Sequence, residues 1–168
     1  MVEIGRKTVF INAGDVVASR QPHRYTTVLG SCISVCLYDL ENCWGGMNHF
    51  MHVGQSPDQS QDARWSTPAI RRLLQKMCRL GSNPADLTAK LFGGANVMAA
   101  ITSRIGERNL QAALTELEIY GIPVLEGSVG GNNSYHIEFL SDTGEVRVVR
   151  REKKLYSTSP SGVERPAP

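Results

Sequence analysis

A strand–turn–strand pattern over residues 32–51 constrains the fold of this chain more than any other feature. Residues 32–38 alternate in period two, residues 39–42 (Asp-Leu-Glu-Asn) are typical of a turn, and residues 43–51 return as a second run rich in apolar side chains. This pattern predicts an antiparallel β-hairpin. The face turned toward a core carries Ile33, Val35 and Leu37.

The register of this hairpin decides which side chains meet. A tight turn centred on Leu40-Glu41 places Cys32 directly opposite His49. Directly opposed residues have Cβ atoms about 4.5–5.5 Å apart, so a thiol and an imidazole could exchange a proton there. Gly30 and Ser31 would let the backbone bend and a substrate approach the sulfur. A core cysteine beside an interior histidine fits the same pattern, and the pattern alone leaves both interpretations open.

The remaining chain reads as short strands around two helices. Pro68 follows a Ser66 or Thr67 N-cap, and Gly81 supplies the stop of the first helix. The second helix is predicted from Glu107 to Tyr120, with Leu110, Ala113, Leu114 and Leu117 inward. Further strands are predicted at Thr8 to Ile11, Tyr25 to Leu29, Ala89 to Phe92, Ile122 to Leu125, Tyr135 to Leu140 and Glu145 to Val149.

Charge and composition exclude several classes of function. The 168 residues include 18 basic and 16 acidic ones, which argues against a dedicated nucleic-acid binder. No run reaches the roughly 18 apolar residues of a membrane span, and the N-terminus does not look like a signal peptide. We therefore expect a cytoplasmic protein with reduced cysteines and no direct membrane insertion.

The four cysteines allow a competing interpretation as a metal site. Cys32, Cys36, Cys43, His49 and His52 lie within 21 residues of one another. Structural zinc sites usually pair their ligands at short spacing, and the hairpin separates Cys43 from Cys32. We expect no metal and no cofactor, and we expect Cys36, Cys43 and Cys78 to serve packing.

Several segments resemble the CheD family of bacterial chemotaxis proteins. The segment 26–39 (TTVLGSCISVCLYD) is similar to the family's nucleophile segment, and 45–51 (GGMNHFM) to its histidine segment. The segments 91–96 (LFGGAN) and 105–109 (IGERN), and Gly130-Gly131 with the residues after it, match further motifs in the family's order. Together these motifs extend from about Thr8 to Arg150.

This resemblance implies a glutamine deamidase that converts glutamines to glutamates on the cytoplasmic helices of methyl-accepting chemoreceptors. By position in the motif, Cys32 is implied as nucleophile, His49 as base and Thr26 as the third catalytic residue, with Thr27 as the alternative threonine. A CheC-type phosphatase is the implied partner. A catalytically silent docking module of the same adaptation system is the alternative function.

The implied fold is α+β, a layered sandwich of β-sheets with helices packed on the outside, similar to deamidating bacterial toxins. We expect one domain over residues 1–150 and a disordered tail over residues 151–168. Two segments depart from the family pattern: Met51-His52-Val53 stands where a Leu-Pro pair usually follows, and Asn132-Asn133 where an Arg-Lys pair is common. Both departures concern substrate grip or partner docking rather than the catalytic positions.

Overall fold

The computed structural model describes residues 5–97 and 104–151. It contains nine strands and two α-helices within those ranges, together with a short 3-10 turn at Pro84–Asp86. The strands are β1 (Lys7–Phe10), β2 (Val16–Ser19), β3 (His23–Leu29), β4 (Ile33–Asp39), β5 (Trp44–Asn48), β6 (Leu87–Gly93), β7 (Val124–Val129), β8 (Ser134–Leu140) and β9 (Val146–Arg151). The helices are α1 (Ser66–Leu80) and α2 (Ile105–Ile119).

The strands form two sheets. One has four strands in the order β1-β3-β8-β9, and the other has five in the order β2-β5-β4-β6-β7. An inter-sheet core joins them and includes Tyr25, Cys36, Met47 and Phe139. The opposite face of the five-stranded sheet packs on both helices, so the layers run sheet, sheet, helices. This confirms the predicted α+β sandwich with helices on the outside.

The predicted hairpin is present, but its predicted register is wrong by two residues. Asp39 lies opposite Trp44 and Cys36 opposite Met47, because residues 40–43 form the loop and Cys43 adopts a left-handed φ of 57°. The predicted inward face is correct, since Ile33, Val35 and Leu37 all lie in the core against the helices. A two-residue shift keeps every side chain on its predicted face.

The β4–β5 ladder is interrupted beyond Cys36. The Asn48 side-chain oxygen accepts from the Val35 backbone N–H at 2.9 Å, where a backbone carbonyl would otherwise pair. The Ser34 hydroxyl donates to the Asn48 carbonyl at 2.6 Å. An isolated bridge between Ile33 and Phe50 then closes the hairpin again. The backbones of the two hairpin strands therefore separate locally beside His49 and pair again one residue after it.

The helices are found where the sequence predicts them, with differences at their ends. Ser66 is the first residue of α1 rather than its N-cap, and its hydroxyl accepts from the Gly54 backbone N–H. Gly81 ends α1 in the left-handed conformation, as predicted. On α2, Ala113 and Leu117 are fully buried, but the prediction for Leu114 is wrong because its side chain is 37% exposed.

One strand was missed by the sequence prediction, and one prediction falls outside the described residues. β2 has only four residues and pairs antiparallel with β5 at the sheet edge. Apart from Arg151, which ends β9, the predicted tail over residues 151–168 lies outside the described ranges. Within those ranges no helix is long and apolar enough to cross a membrane.

Candidate active site

Cys32 lies in the bend that joins β3 to β4, and its backbone is held on several sides. The carbonyl of Gly30 accepts from the Ala95 N–H at 2.9 Å, and the carbonyl of Cys32 accepts from the Gly94 N–H at 2.8 Å. Gly93 fits only as glycine, because its φ is 103° and an added Cβ would lie 2.1 Å from the Cys32 carbonyl oxygen. The Cys32 side chain is partly exposed and packs against the inter-sheet core.

His49 lies between the two sheets and is only 7% exposed. Its Nδ1 is 3.1 Å from the hydroxyl of Thr27 and 3.3 Å from the carbonyl oxygen of Ile11. The Thr27 hydroxyl donates its own proton to the same Ile11 carbonyl at 2.6 Å. Because that carbonyl can only accept and the hydroxyl proton is already committed to it, Nδ1 must carry the proton of the neutral imidazole.

The other ring nitrogen, Nε2, is free to act as a base. It is buried and has no hydrogen-bond partner among the residues that the structure describes. With Nδ1 protonated, Nε2 presents its lone pair. A loop also fixes the backbone of His49, since its N–H donates to the Asp15 carbonyl and its carbonyl accepts from the Gly14 N–H.

Cys32 and His49 share one face of the hairpin but are not directly opposed. Extending the register of the Ile33–Phe50 bridge places His49 across from Ser34, so Cys32 is its diagonal neighbour. Diagonal neighbours on one face lie about 7–8 Å apart, which long or aromatic side chains can reach across. The prediction that Cys32 lies directly opposite His49 is therefore wrong. The prediction that both residues lie on one face is confirmed, because even-numbered residues of β4 and odd-numbered residues of β5 face the inter-sheet core.

The structure does not bring Thr26 to His49. The Thr26 hydroxyl donates to the Ile137 carbonyl at 3.0 Å and lies 2.9 Å from Nε2 of His136, on the outer face of the four-stranded sheet. Thr27 is fully buried and faces His49 instead. The placement of Thr26 beside His49 is thus corrected to Thr27, because consecutive strand residues point to opposite faces.

Burial shifts both titrating groups toward their neutral forms. Burial raises the pKa of the Cys32 thiol above its ordinary value, and the Cys32 backbone N–H opposes that shift. Burial lowers the pKa of His49, against the smaller opposing effects of the Ile11 carbonyl and the Asp15 charge. Both shifts therefore favour a thiol and a neutral imidazole at neutral pH.

Comparison with known proteins identifies the family. Residues 52–150 match the family model described as CheD chemotactic sensory transduction. The chain is 40% identical over 149 residues to a probable chemoreceptor glutamine deamidase CheD 1 of Anaeromyxobacter dehalogenans, which covers 86% of this chain and 85% of that protein. It is 38% identical over 141 residues to a probable chemoreceptor glutamine deamidase CheD of Rhodospirillum rubrum, covering 83% and 80%.

The chain belongs to the CheD family. A crystal structure of the hypothetical protein YfiH from Bacillus licheniformis is also similar, with a TM-score of 0.40 and 16% identity over 68% of this chain and 50% of that one. A likeness this distant adds nothing to the family assignment.

The other cysteines of this CheD-family chain divide into two groups. Cys36 is buried in the inter-sheet core, as predicted. Cys43 and Cys78 are exposed, so the prediction that they serve packing is wrong for both. No group of three or more His, Cys, Asp or Glu residues that could hold a metal ion occurs in residues 5–97 and 104–151.

Two residues near Cys32 make contacts that the sequence did not reveal. Gly93 accommodates the Cys32 carbonyl, and Asn109 of α2 donates from its side-chain amide to the carbonyls of Ser31 and Met51. Both lie in segments that resemble family motifs. The resemblance marked those segments but could not show what their side chains contact.

Proposed function

We propose that this chain is a chemoreceptor glutamine deamidase with Cys32 as nucleophile, His49 as general base and acid, and Thr27 as the residue that orients His49. The observation that carries the proposal is Nε2 of His49, which is buried, unpartnered among the described residues and held in the basic tautomer on the face it shares with Cys32. The substrate class follows from the names of the relatives, which are probable chemoreceptor glutamine deamidases.

The reaction begins when the Cys32 sulfur attacks the side-chain carbonyl carbon of a glutamine. Its proton passes to Nε2 of His49, and the carbonyl oxygen becomes an oxyanion. When the intermediate collapses, the C–N bond breaks and His49 returns the proton to the departing ammonia. A thioester between Cys32 and the glutamyl side chain remains.

Water then completes the cycle. His49, now neutral again, accepts a proton from a water molecule that attacks the thioester. When the C–S bond breaks, glutamate is released and His49 gives this proton to the sulfur, which restores the Cys32 thiol and the neutral imidazole. The net change is glutamine plus water to glutamate plus ammonia. Thr27 assists both the formation and the hydrolysis of the thioester. Its hydroxyl oxygen accepts a hydrogen bond from Nδ1 of His49 and so stabilises the imidazolium that forms in each stage.

The biological setting belongs to the same proposal. Glutamines on the cytoplasmic helices of methyl-accepting chemoreceptors are the proposed substrates, and the cytoplasm is the proposed location. We extend the proposal to a CheC-type phosphatase as docking partner, on the strength of the family resemblance. No cofactor enters the chemistry, since the proposed steps need only a thiol, an imidazole and water.

The test is to incubate the full chain with a purified cytoplasmic fragment of a chemoreceptor. Released ammonia and a mass increase of about one dalton per converted glutamine are expected. Cys32→Ala should abolish both, while Cys78→Ala, which removes an exposed cysteine on α1, should leave them unchanged. Full activity in Cys32→Ala would refute the mechanism, and receptor binding without ammonia release by the parent would favour the silent docking module.

A further inference from the structure

We infer that Asn109 is a positioning residue that joins the nucleophile bend (residues 30–32) to the histidine segment (residues 45–51). In doing so it aims the Cys32 backbone N–H at the reaction centre. Asn109 lies in the first half of α2 and is fully buried. Its role in catalysis rests on the proposed deamidation. The contacts themselves are a property of the fold and can be tested without it.

The side-chain amide of Asn109 bridges two chain segments. Its Nδ2 donates to the carbonyl of Ser31 at 3.0 Å and to the carbonyl of Met51 at 3.1 Å. Both partners are carbonyl oxygens, so only the NH₂ end of the amide can face them. The amide therefore spans the hairpin just beyond its last bridge, between Ile33 and Phe50.

The Ser31 carbonyl shares a peptide plane with the N–H of Cys32. In a trans peptide these two groups point in opposite directions. Because α2 lies in the helix layer, the bond from Asn109 draws the Ser31 carbonyl toward that layer. The Cys32 N–H then points toward the opposite side, where the Cys32 and His49 side chains lie.

The backbone of the bend is asymmetric in its hydrogen bonding. Three consecutive carbonyls, at residues 30, 31 and 32, accept from Ala95, Asn109 and Gly94 respectively. The N–H of Cys32 has no acceptor in any other described residue. The same N–H opposes the rise in the pKa of the Cys32 thiol, because a nearby donor favours the thiolate. A donor left open beside a nucleophile is suited to an oxyanion that forms on the attacked carbon.

Asn109 keeps this arrangement although its other end is unsatisfied. Its Oδ1 is buried and lacks a donor in the described part of the chain. A buried acceptor without a partner is destabilising, so the carboxamide is poorly explained by packing alone. The two hydrogen bonds from Nδ2 explain the carboxamide of Asn109, because a single atom holds both the segment that contains Cys32 and the segment that contains His49.

The experiment compares Asn109→Ala with Ala113→Gly, a buried change one turn further along α2 that weakens the helix but does not touch the nucleophile bend. For Asn109→Ala we expect kcat on a receptor fragment to fall about 100-fold with KM within about twofold, since a small misplacement of reacting groups costs that much. Hydrogen exchange should rise in peptides covering residues 30–34 and 49–53. Ala113→Gly should change neither kcat nor exchange in those two peptides.

Asn109→Asp keeps the inference testable if Asn109→Ala fails to fold. A carboxylate cannot donate to either carbonyl, whereas a protonated carboxyl can donate to one, so the activity of this variant relative to the parent should rise as pH falls. A kcat for Asn109→Ala within about threefold of the parent, an equal loss in Ala113→Gly, or a pH-independent ratio for Asn109→Asp would overturn the role. If the parent releases no ammonia, the deamidation proposal fails, while the exchange data still decide whether Asn109 joins the two segments.

Discussion

Replacing Thr27 by valine tests the hydrogen-bond arrangement that defines the base. Valine has nearly the same shape but lacks the hydroxyl that contacts both Nδ1 of His49 and the Ile11 carbonyl. After the change, Nδ1–H can move toward the Ile11 carbonyl, which is already within 3.3 Å. The carbonyl therefore keeps a donor, and the imidazolium of the transition state loses one hydrogen bond.

The size of the effect follows from that single bond. A hydrogen bond to a charged group contributes about 1.5–3 kcal/mol, and about 1.4 kcal/mol corresponds to a tenfold rate change. We therefore expect kcat of Thr27→Val to fall about 10- to 150-fold, with little change in KM because Thr27 acts through His49. Loss of stability should stay near 0.5–1.5 kcal/mol, so the variant remains folded at 25 °C.

The neighbouring threonine supplies the matched control. Thr26→Val removes hydroxyl contacts to Ile137 and His136 on the outer face of the same strand, at a similar cost in stability. Ammonia release from a receptor fragment, measured as kcat and KM alongside thermal unfolding, should be nearly unchanged in Thr26→Val. Thr27→Ser should retain most activity. A large loss of kcat in Thr26→Val together with an unaffected Thr27→Val would refute the assignment of the threonine and restore Thr26.

Three further predictions concern the titrating groups and the bend. Burial lowers the pKa of His49, and the neutral imidazole is the proposed base. The acid limb of the pH profile of kcat/KM should therefore have its midpoint below about pH 6.5. A midpoint above that value would contradict the assignment of His49 as the base. Burial raises the pKa of the Cys32 thiol, so its alkylation by iodoacetamide should increase with pH around a midpoint above that of a free cysteine peptide. Peptide mass spectrometry measures the extent of alkylation. A midpoint near pH 6 would show a resting ion pair instead. Gly93→Ala should lower both kcat and the unfolding temperature, because the added Cβ would overlap the Cys32 carbonyl. Gly54 also has a positive φ but has nothing within 4 Å of an added Cβ, so Gly54→Ala should cause only the milder backbone strain. Equal effects of the two variants would contradict the steric explanation.

That Cys32 and His49 share one face of the hairpin could be predicted from sequence, although the predicted register was wrong. The error was two residues, caused by a loop with a left-handed Cys43 that the turn residues did not reveal. Since side chains alternate with period two, a shift of two keeps each residue on its face and changes only an opposed pair into a diagonal one. The proposed mechanism requires the shared face rather than the exact partner.

The threonine shows the opposite case. Thr26 and Thr27 are adjacent and chemically identical, so a choice between them is a choice between the two faces of β3. The buried face is settled by Tyr25 and Leu29, which pack in the inter-sheet core. Motif spacing favours Thr26, whereas alternation with those apolar neighbours favours Thr27. An error of one residue reverses the direction of a side chain, so tertiary placement was needed to decide.

The position of Asn109 could not be derived from the sequence, because it depends on how α2 docks on the five-stranded sheet. Its consequence is clearest when the layers are considered together. The four-stranded sheet supplies Thr27, and the helix layer supplies Asn109. In the middle sheet, Cys32 and His49 both lie at the open end of the β4–β5 hairpin, Cys32 just before β4 and His49 just after β5. Thr27 fixes the imidazole from one side, while Asn109 fixes the nucleophile bend from the other. Because these two supports come from separate layers that meet only in the folded domain, the reactive geometry depends on the packing of the whole sandwich and cannot be preserved by the hairpin alone.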